Sequence, residues 1–355
     1  MIEEMPQGSD LEGQQPRMLR LDACPVCGHG PASFSFASID LLHGVPGVFA
    51  YDVCRGCGSF FQNPRAIDDD LTLYYPADYF THNRTAPRDQ EDSSGPLQAL
   101  VRRLVLGARG RPREGAATLS GLLGRVLGAV GFLRRRAMYG LADELGTPGG
   151  AERCLELGPG TGDDMWRLAR LGWTVTGIDV DPAAAEVAAA RSGCEVLVGS
   201  VLDHRPGEAY GLIYSSHSLE HVPELGETII HLSSLLAAAG RLVLIIPNPR
   251  SLSARLYGPL SVVWDPPRHL SLPSVRALRT VLGEAGFDDV HVRTVARRAG
   301  HYCSIAHARR LGTTGTAAWN AEATRVGRLL HAVEMLMVRL GLPVGEEIIV
   351  SATAR

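Results

Sequence analysis

The strongest constraint on the fold is a regular alternation of short apolar runs with helical patterns, which begins at residue 151. The runs read RCLELG, TVTGIDV, CEVLVGS, YGLIYSS and RLVLIIPN. Strands buried on both faces of a parallel sheet show such near-continuous apolar runs, and the helices that join them cover the two faces. Two further strands are expected near 290–295 and 347–354, with a long helix over roughly 317–340 between them. The pattern therefore predicts an α/β fold with a doubly wound sheet.

The first predicted strand ends in a glycine-rich turn with the sequence ELGPGTG. Glycines at alternate positions let the backbone turn tightly and let a ligand approach the main chain, and the helix expected next presents free N–H groups at its start. Turns that bind the pyrophosphate of a dinucleotide read G-x-G-x-x-G, whereas the sixth position here is Asp163. A carboxylate there would repel a pyrophosphate, so the turn predicts a ligand without phosphate. Its expected contact residues are Glu156, Gly158, Pro159, Gly160, Thr161 and Gly162.

The second predicted strand ends in Asp179, which lies 21 residues after Gly158. An acidic residue at this position can accept hydrogen bonds from both hydroxyls of a ribose. An adenosine without phosphate, bound beside a glycine turn, indicates S-adenosylmethionine as the ligand. The ends of the neighbouring strands complete the expected pocket with Val180, Ser200, Val201 and Ser216.

Three segments together resemble the class I S-adenosylmethionine-dependent methyltransferases: ELGPGTG, GIDVDP at the end of the second strand, and HSLEHV after the fourth. The resemblance covers about residues 151–290 and implies a Rossmann-like, seven-stranded sheet whose last strand is antiparallel. The chain departs from the family where Ser200 follows Gly199, since relatives often carry an acid there that bonds the adenine amine. It departs again at Tyr210, where relatives often carry Asp. The ribose end of the pocket therefore matches the family better than the adenine end.

Two C-x-x-C pairs near the N-terminus predict a metal site. Cys24 and Cys27 form the first pair, Cys54 and Cys57 form the second, and a glycine follows each pair. Two thiolates at this spacing can hold one tetrahedral metal ion, and the 26 residues between the pairs leave room for a hairpin. Four sulfur ligands fill the coordination sphere, which indicates a structural zinc site with no open position for catalysis. A redox dithiol or a disulfide framework is the alternative, and two pairs with matching glycines favour zinc.

The segment CRGCGSFFQNPR, with the pairs YY and YF after it, resembles the zinc-binding N-terminal module of a bacterial branch of this methyltransferase family. Members of that branch are commonly associated with sugars, surface polysaccharides or secondary metabolites. The resemblance implies a small-molecule or sugar acceptor that is methylated at oxygen, with carbon methylation of a nucleotide-linked sugar as the alternative. A different class of function is a zinc-ribbon protein that binds a partner or RNA through a degenerate methyltransferase fold. The intact glycine turn and Asp179 argue against that alternative.

Candidate catalytic side chains follow the fourth and fifth predicted strands. Ligands of open α/β sheets bind beyond the C-terminal ends of the strands, which places His217, Glu220 and His221 near the methyl donor and His269 in the acceptor wall. Methyl transfer depends mainly on the alignment of donor and acceptor, and a hydroxyl acceptor also needs a base, for which histidine is suited near neutral pH. We expect His221 to be the base, with His269 and His217 next in order. The alternative is that Glu220 and His221 only cap a short helix.

A second use of the same run is metal binding. Related quinone O-methyltransferases carry a similar E-x-x-E-H run and can use a divalent cation. In this chain His217, Glu220 and His221 stand at the corresponding positions, and all three are ligand-type side chains. The resemblance therefore leaves a divalent cation at the active site as an alternative.

Residues 101–137 carry nine arginines and a single acid, Glu114, beside an apolar stripe. Such a segment suits a solvated helical linker, or contact with an anionic membrane surface or an acidic partner. The net charge of −3 for the whole chain argues against nucleic acid as a partner. No apolar run approaches the roughly 20 residues that span a bilayer, and the acidic N-terminus lacks a signal core. The sequence thus predicts a cytoplasmic protein.

These features divide the chain into four predicted regions. They are a disordered tail over 1–17, a zinc-ribbon module over 18–65, a connector with the Arg-rich helical segment over 66–150, and the class I methyltransferase domain over 151–355, in which 251–285 and 300–342 are predicted acceptor-side or lid insertions.

Overall fold

The computed structural model describes residues 16–30, 32–75, 153–319 and 324–355, together with Tyr79, Leu100, Leu104, Leu123, Val126, Leu127 and Leu145. The predicted tail over 1–17 lies almost wholly outside the described residues. The Arg-rich helical segment over 101–137 also lies outside them, apart from four single positions.

A small antiparallel sheet forms around the cysteine pairs. Its strands from this part of the chain are β2 (Ala32–Ser38), β3 (Phe49–Cys54) and β4 (Phe60–Gln62), while β1 (Met18–Leu19) and β5 (Arg65–Ala66) form a separate two-stranded sheet. β2 and β3 are the hairpin that the spacing of the cysteine pairs predicts, β4 pairs with β3, and β1 pairs with β5, all antiparallel. A 3-10 helix over Asp68–Tyr74 follows.

The rest of the described chain forms an α/β unit. Its strands are β6 (Arg153–Leu157), β7 (Thr174–Asp179), β8 (Glu195–Val198), β9 (Tyr210–Ser216), β10 (Leu236–Pro247), β11 (Ser271–Leu272), β12 (Phe287–Val295) and β13 (Glu347–Ala354). Its helices are α1 (Asp163–Arg170), α2 (Pro182–Ser192), α3 (Leu225–Leu235), α4 (Leu252–Tyr257), α5 (Val275–Glu284), α6 (Ala299–Arg310), α7 (Gly315–Trp319) and α8 (Arg325–Arg339), with 3-10 turns at Val201–Asp203, Leu219–His221 and Gly258–Leu260.

Seven of these strands form one sheet in the order β12-β13-β10-β9-β6-β7-β8. Strands β10, β9, β6, β7 and β8 are neighbours in this order and pair in parallel, and β13 runs antiparallel to both of its neighbours. The predicted Rossmann-like sheet with an antiparallel last strand is confirmed. Strand order reverses between β6 and β9, which is where open α/β sheets bind their ligands.

The apolar runs form strands because both faces of the sheet are covered. In β10, Leu242, Leu244 and Ile246 pack into the core on one face, while Val243 and Ile245 pack into the core on the other. All five side chains are almost fully buried. Alternate residues of one strand thus serve two cores, which is why the run is continuously apolar.

The cysteine-bearing sheet and the large sheet share one core. Cys24, Val26 and Phe61 pack in the same apolar cluster as Leu225 and Ile348. Strand β11, which comes from the second half of the chain, pairs with β4 and extends the small sheet. The two sheets are therefore joined by packing and by backbone hydrogen bonds.

The C-terminal helical region differs from the single helix predicted over 317–340. Helix α7 ends at Trp319, residues 320–323 lie outside the description, and α8 begins after Thr324. The Thr324 hydroxyl accepts a hydrogen bond from the Gly327 N–H at 2.9 Å, a side-chain cap that starts a new helix. Among the described helices, none is long and apolar enough to cross a bilayer.

Candidate functional site

The carboxyl ends of β6, β7, β8 and β9 meet at one edge of the sheet, because these strands are parallel neighbours. Every loop that carries a predicted ligand contact leaves the sheet at this edge. The sequence-predicted residues from Glu156 to Ser216 are thus gathered in space by the topology alone.

The glycine turn after β6 is closely packed on both sides. Gly158, Gly160 and Gly162 all adopt positive φ angles, between 55° and 78°, which side chains disfavour. A Cβ atom on Gly158 would lie 2.4 Å from the Ser218 hydroxyl, and one on Gly162 would lie 2.6 Å from the Ala188 carbonyl. The turn therefore requires glycine at both positions.

Glu156 is a buried acid at the base of this turn. Its Oε2 atom has no hydrogen-bond partner among the described residues. Burial, together with the nearby Asp164 carboxylate, raises the pKa of Glu156 well above its ordinary value. A buried carboxyl without a partner fits a ligand that brings a positive charge or N–H donors.

Asp163 is paired within the protein. Its carboxylate accepts a hydrogen bond from the Thr161 hydroxyl at 3.0 Å and forms an ion pair with Arg191 at 2.8 Å. The expected repulsion between Asp163 and a pyrophosphate is therefore largely offset by Arg191. The preference for a ligand without phosphate must depend on the other residues of the site.

Asp179 ends β7 beside the glycine turn, as predicted. Its Oδ1 atom accepts a hydrogen bond from the Asp181 N–H at 3.0 Å, which orients the carboxylate. Next to it the Val180 side chain is 67% exposed. An exposed apolar side chain beside an oriented carboxylate is suited to a flat, partly apolar ligand with hydroxyl groups.

The end of the third strand contributes a polar turn. The Ser200 hydroxyl accepts a hydrogen bond from the Leu202 N–H at 3.2 Å and caps the 3-10 turn that begins at Val201. Val201 is buried, so only part of this predicted contact set faces outward. Ser216 ends β9 and leads directly into the histidine-bearing loop.

Glu220 lies at the centre of that loop, fully buried. Its Oε1 atom is 3.5 Å from His217 Nδ1 and 3.8 Å from His269 Nε2. Neither carboxylate oxygen has a hydrogen-bond partner of good geometry among the described residues. Burial alone would raise the pKa of Glu220, but the His217 imidazole lowers it, so the carboxylate stays ionised.

His217 lies between two buried acids. Its Nε2 atom is 3.0 Å from Glu347 Oε1, and its Nδ1 atom faces Glu220. Burial alone would lower the pKa of His217, but the adjacent Glu220 and Glu347 carboxylates raise it well above the ordinary value. His217 therefore carries a proton at neutral pH, and it holds two acids from distant parts of the chain together.

His221 is in the opposite state. Its Nδ1 atom lies 3.0 Å from the Arg268 carbonyl and 3.2 Å from the Tyr75 hydroxyl. Because a carbonyl only accepts, the hydrogen is on Nδ1, and Nε2 keeps its lone pair. Burial and the neighbouring His269 lower the pKa of His221 to about 4. This imidazole is therefore neutral and able to accept a proton.

The Nδ1 atom of His269, like that of His221, faces a backbone carbonyl. This atom lies 2.7 Å from the Val263 carbonyl, and the His269 ring lies 4.9 Å from the ring of His221. One ligand-type atom from each of Glu220, His221 and His269 fits within 4.8 Å of the others. The structure thus groups His269 with Glu220 and His221, whereas the sequence predicted a set with His217 in that place.

The loop that carries His269 is held by a buried ion network. The Arg268 guanidinium donates to Asp265 and Asp40, with N–O distances from 2.8 to 3.0 Å. Gln62 and Tyr51 donate to the His269 carbonyl at 3.0 Å. The cysteine-bearing sheet therefore forms one wall of the histidine site.

The four cysteines converge at the edge of the small sheet. The Sγ atoms of Cys24 and Cys57 are 3.8 Å apart, those of Cys27 and Cys54 are 3.7 Å apart, and all four lie within 4.8 Å of one another. A tetrahedral zinc ion with bonds of about 2.3 Å to sulfur requires edges of about 3.8 Å. All seven cysteines of the chain are free of disulfide bonds.

Both cysteine pairs form the same turn. The amides of Gly28 and Gly58 donate to the carbonyls of Cys24 and Cys54 at 2.8 Å, and both glycines have positive φ angles. The glycine after each pair is thus needed for the turn that points two thiols at one centre. The geometry fits the predicted four-thiolate zinc site.

Residues 128–292 match a family described as "Methyltransferase domain". The match covers the glycine turn, Asp179 and the Glu220 loop, and the sheet order around them is the one that the class implies. This region is a class I S-adenosylmethionine-dependent methyltransferase domain.

Curated relatives are similar to part of the chain. Trans-aconitate 2-methyltransferase of Escherichia coli O157:H7 (strain EC4115 / EHEC) is 32% identical over 145 residues, which are 37% of this chain and 54% of that protein. The protein of the same name from Enterobacter sp. (strain 638) is 33% identical over 144 residues, 38% of this chain and 56% of its own. The chain thus spans about half the length of the curated relatives it matches.

Solved structures also match. An S-adenosylmethionine-dependent methyltransferase from Archaeoglobus fulgidus aligns with 57% of this chain and 86% of its own, at 18% identity and a TM-score of 0.40. The [4+2]-cyclase SpnF aligns with 76% and 96%, at 20% identity and a TM-score of 0.40.

Several residues that complete the histidine site could not be identified from the sequence. Tyr75 belongs to the tyrosine-containing motif after the cysteine pairs, and its hydroxyl faces His221. Asp40, Gln62 and Glu347 contact the site from positions far away in the chain. A polar residue inside a strand that otherwise reads as core, such as Gln62, is the one signal that could have suggested such a contact.

Proposed function

We propose that the chain transfers a methyl group from S-adenosylmethionine to a hydroxyl oxygen of a small-molecule or sugar acceptor. The observation that carries the proposal is His221, a neutral imidazole with a fixed tautomer beside a buried carboxylate, at the sheet edge that we propose for the methyl donor. The name of the curated relatives, trans-aconitate 2-methyltransferase, supports a small organic acceptor.

The proposed donor site uses the residues that gather at the sheet edge. Asp179 would bind the ribose hydroxyls, Glu156 the amino group, and the backbone of Gly158 to Gly162 the amino-acid portion. The turn at Ser200 and Val201, with the exposed Val180 and with Ser216, would enclose the adenine and sulfur ends. When bound, S-adenosylmethionine supplies a methyl group that its sulfonium has already activated.

The proposed base is His221. Its Nδ1–H is held by the Arg268 carbonyl, so Nε2 is the atom that takes the proton of the acceptor hydroxyl. The buried Glu220 carboxylate would stabilise the imidazolium as it forms. His217 is already protonated and cannot act as the base, and we assign it to positioning Glu220. His269 is the second candidate, because its Nε2 atom also faces Glu220.

The test is transfer of a radiolabelled methyl group to a panel of hydroxylated organic acids and sugars, with S-adenosylhomocysteine release as a second readout. His221→Ala should lose about 10²- to 10⁴-fold in turnover on the labelled acceptor, with donor affinity unchanged. His291→Ala, at an exposed position of β12, is the matched control. A His221→Ala variant with full turnover would remove the proposed base. Failure to label any hydroxyl compound would favour a carbon acceptor.

A divalent cation is a second candidate occupant of the Glu220, His221 and His269 cluster. The favouring observation is the convergence of their ligand atoms within 4.8 Å around carboxylate oxygens that lack hydrogen bonds. Two imidazoles and one carboxylate are ligands that divalent transition metals accept. Metal analysis separates the two uses. Two ions per wild-type chain and one in Glu220→Gln would support the cation, and one ion in both would support the base alone.

We also propose that the four cysteines bind one structural zinc ion. The sulfur–sulfur distances and the paired glycine turns support it, and four thiolates leave no position open for substrate. The ion would hold the cysteine-bearing sheet against α3 and α5, and thereby support the wall behind His269.

A further inference from the structure

Helix α8 carries an exposed apolar stripe. Along its length only Gly327 and Glu334 are buried. Five large apolar side chains at steps of three and four stay between 38% and 71% exposed: Val326, Leu329, Val333, Leu336 and Leu340. Steps of three and four place all five on one face of a helix. An exposed stripe of this kind usually marks a binding surface.

The opposite face of α8 is fixed to the rest of the protein. Gly327 packs against Gly300 and Ser304 of α6 so closely that a Cβ atom there would collide with both. Ser304 also donates a hydrogen bond within α6 and accepts one from the Thr324 amide at 3.0 Å. Rotation of α8 to bury the stripe would break this packing, so the contact with α6 keeps the stripe facing outward.

The surroundings of the stripe are positively charged. At 100° per residue, Arg325, Arg328 and Arg339 lie along one border of the stripe. The only acid within α8 is Glu334, which is fully buried on the opposite face.

This charge selects among the occupants that could cover the stripe. A second copy of the helix would bring arginines beside arginines, and like charges across an interface oppose association. The Arg-rich segment over 101–137, with nine arginines and one acid, would be repelled in the same way. A partner with an anionic outer layer over an apolar interior would match both the arginines and the apolar stripe of α8.

We propose that α8 binds the surface of a lipid bilayer that contains anionic lipids. The five apolar side chains enter the boundary between headgroups and acyl chains, and the arginines contact the phosphates. The helix lies in the plane of the surface and does not cross the bilayer.

The test uses the full-length protein and cosedimentation with vesicles of phosphatidylcholine that contain one third phosphatidylglycerol. Wild type should bind these vesicles, should bind pure phosphatidylcholine much more weakly, and should be released by high salt. Leu329→Gln with Leu336→Gln should lower the partition coefficient by about tenfold or more. Ile230→Gln, at an apolar position of α3 that is 53% exposed, is the matched control and should bind like wild type.

Charge is tested by Arg325→Glu with Arg339→Glu, which should also lose about tenfold in binding to anionic vesicles. Circular dichroism and donor affinity check that each variant is folded. Three results would overturn the proposal: no binding of wild type to anionic vesicles, equal binding to both kinds of vesicle, or unchanged binding by both double variants. A dimer that the two leucine changes dissociate, with no vesicle binding, would instead identify a second copy as the occupant.

Discussion

His221 and His217 stand four residues apart and have opposite protonation states. His217 lies between Glu220 and Glu347, which raise its pKa, while His221 faces a carbonyl, a phenol and a second imidazole, and its pKa falls to about 4. The sequence could identify both as candidates for the base. It could not rank them by state, because Glu347 is 130 positions from His217 and Tyr75 is 146 positions from His221.

The low pKa of His221 predicts the pH dependence of turnover. The neutral base is present above a pKa of about 4, so the acid limb of kcat/KM should lie near pH 4 rather than near 6.5. Stability should fall over the same interval as pH drops from about 6.5 to 4, because the unfolded chain then binds the proton that the buried imidazole refuses. Steady-state rates and urea unfolding across this range check both effects. An acid limb near 6.5 that persists in His221→Gln would contradict the assignment.

The environment of Glu156 predicts that the protein releases a proton when the donor binds. The raised pKa of Glu156 favours the protonated carboxyl in the free protein, and a cationic amino group would favour the ionised form. Binding should therefore release a proton, and donor affinity should rise with pH. Calorimetry in two buffers of different ionisation enthalpy measures the release. Glu156→Gln should abolish it, whereas Glu195→Gln, at an exposed position of β8, should not.

At the scale of elements, periodicity was sufficient for the large sheet and insufficient for its attachments. The seven strands follow from apolar runs whose alternate residues serve two cores, as in β10. The addition of β11 to the small sheet, and the break between α7 and α8, depend on contacts between distant residues and on a local cap at Thr324. The glycine turn and Asp179 were predictable because their backbone geometry is local. The wall behind His269 was not predictable, because it depends on the contact between Asp40 and Arg268, which lie far apart in the chain.

The loop between β10 and β11 depends on Arg268. Arg268→Ala should cost about 3–5 kcal/mol of unfolding free energy, because Asp40 and Asp265 would remain buried without a counter-charge. Urea unfolding measures the loss. The triple change Asp40→Asn, Arg268→Met and Asp265→Asn should recover a large part of it. A loss below about 1 kcal/mol in Arg268→Ala would show that the network contributes little.

At the scale of the whole molecule, the cysteine-bearing sheet and the methyltransferase domain act as one unit. Ser274 of α5 donates to the Cys57 carbonyl at 2.7 Å, and the Gly226 amide donates to the Pro25 carbonyl at 2.9 Å. The sequence predicted the zinc-ribbon module over 18–65 and the methyltransferase domain over 151–355 as separate regions. The shared core instead predicts that a change at the cysteines reaches the acceptor side.

Zinc loss should therefore reduce turnover while donor binding persists. The purified chain should contain about one zinc ion at the cysteine cluster. The Cys54→Ser protein should lose that ion and have a lower melting temperature. Its turnover should also fall, because the cysteine-bearing sheet supports the wall behind His269. Cys194→Ser, at a half-buried position outside the cluster, is the matched control. A Cys54→Ser protein with normal turnover would show that the two parts are independent.

The proposed function requires one donor site at the edge of the large sheet. Calorimetric titration of the full chain with S-adenosylmethionine tests this requirement most directly. We predict one binding site per chain. We also predict a roughly ten- to hundredfold weaker affinity in Asp179→Ala, through the loss of two charge-assisted hydrogen bonds to the ribose. Asp288→Ala, at an exposed position of β12, should bind like wild type. Absence of binding by the wild-type chain, or equal affinity of wild type and Asp179→Ala, would contradict the account.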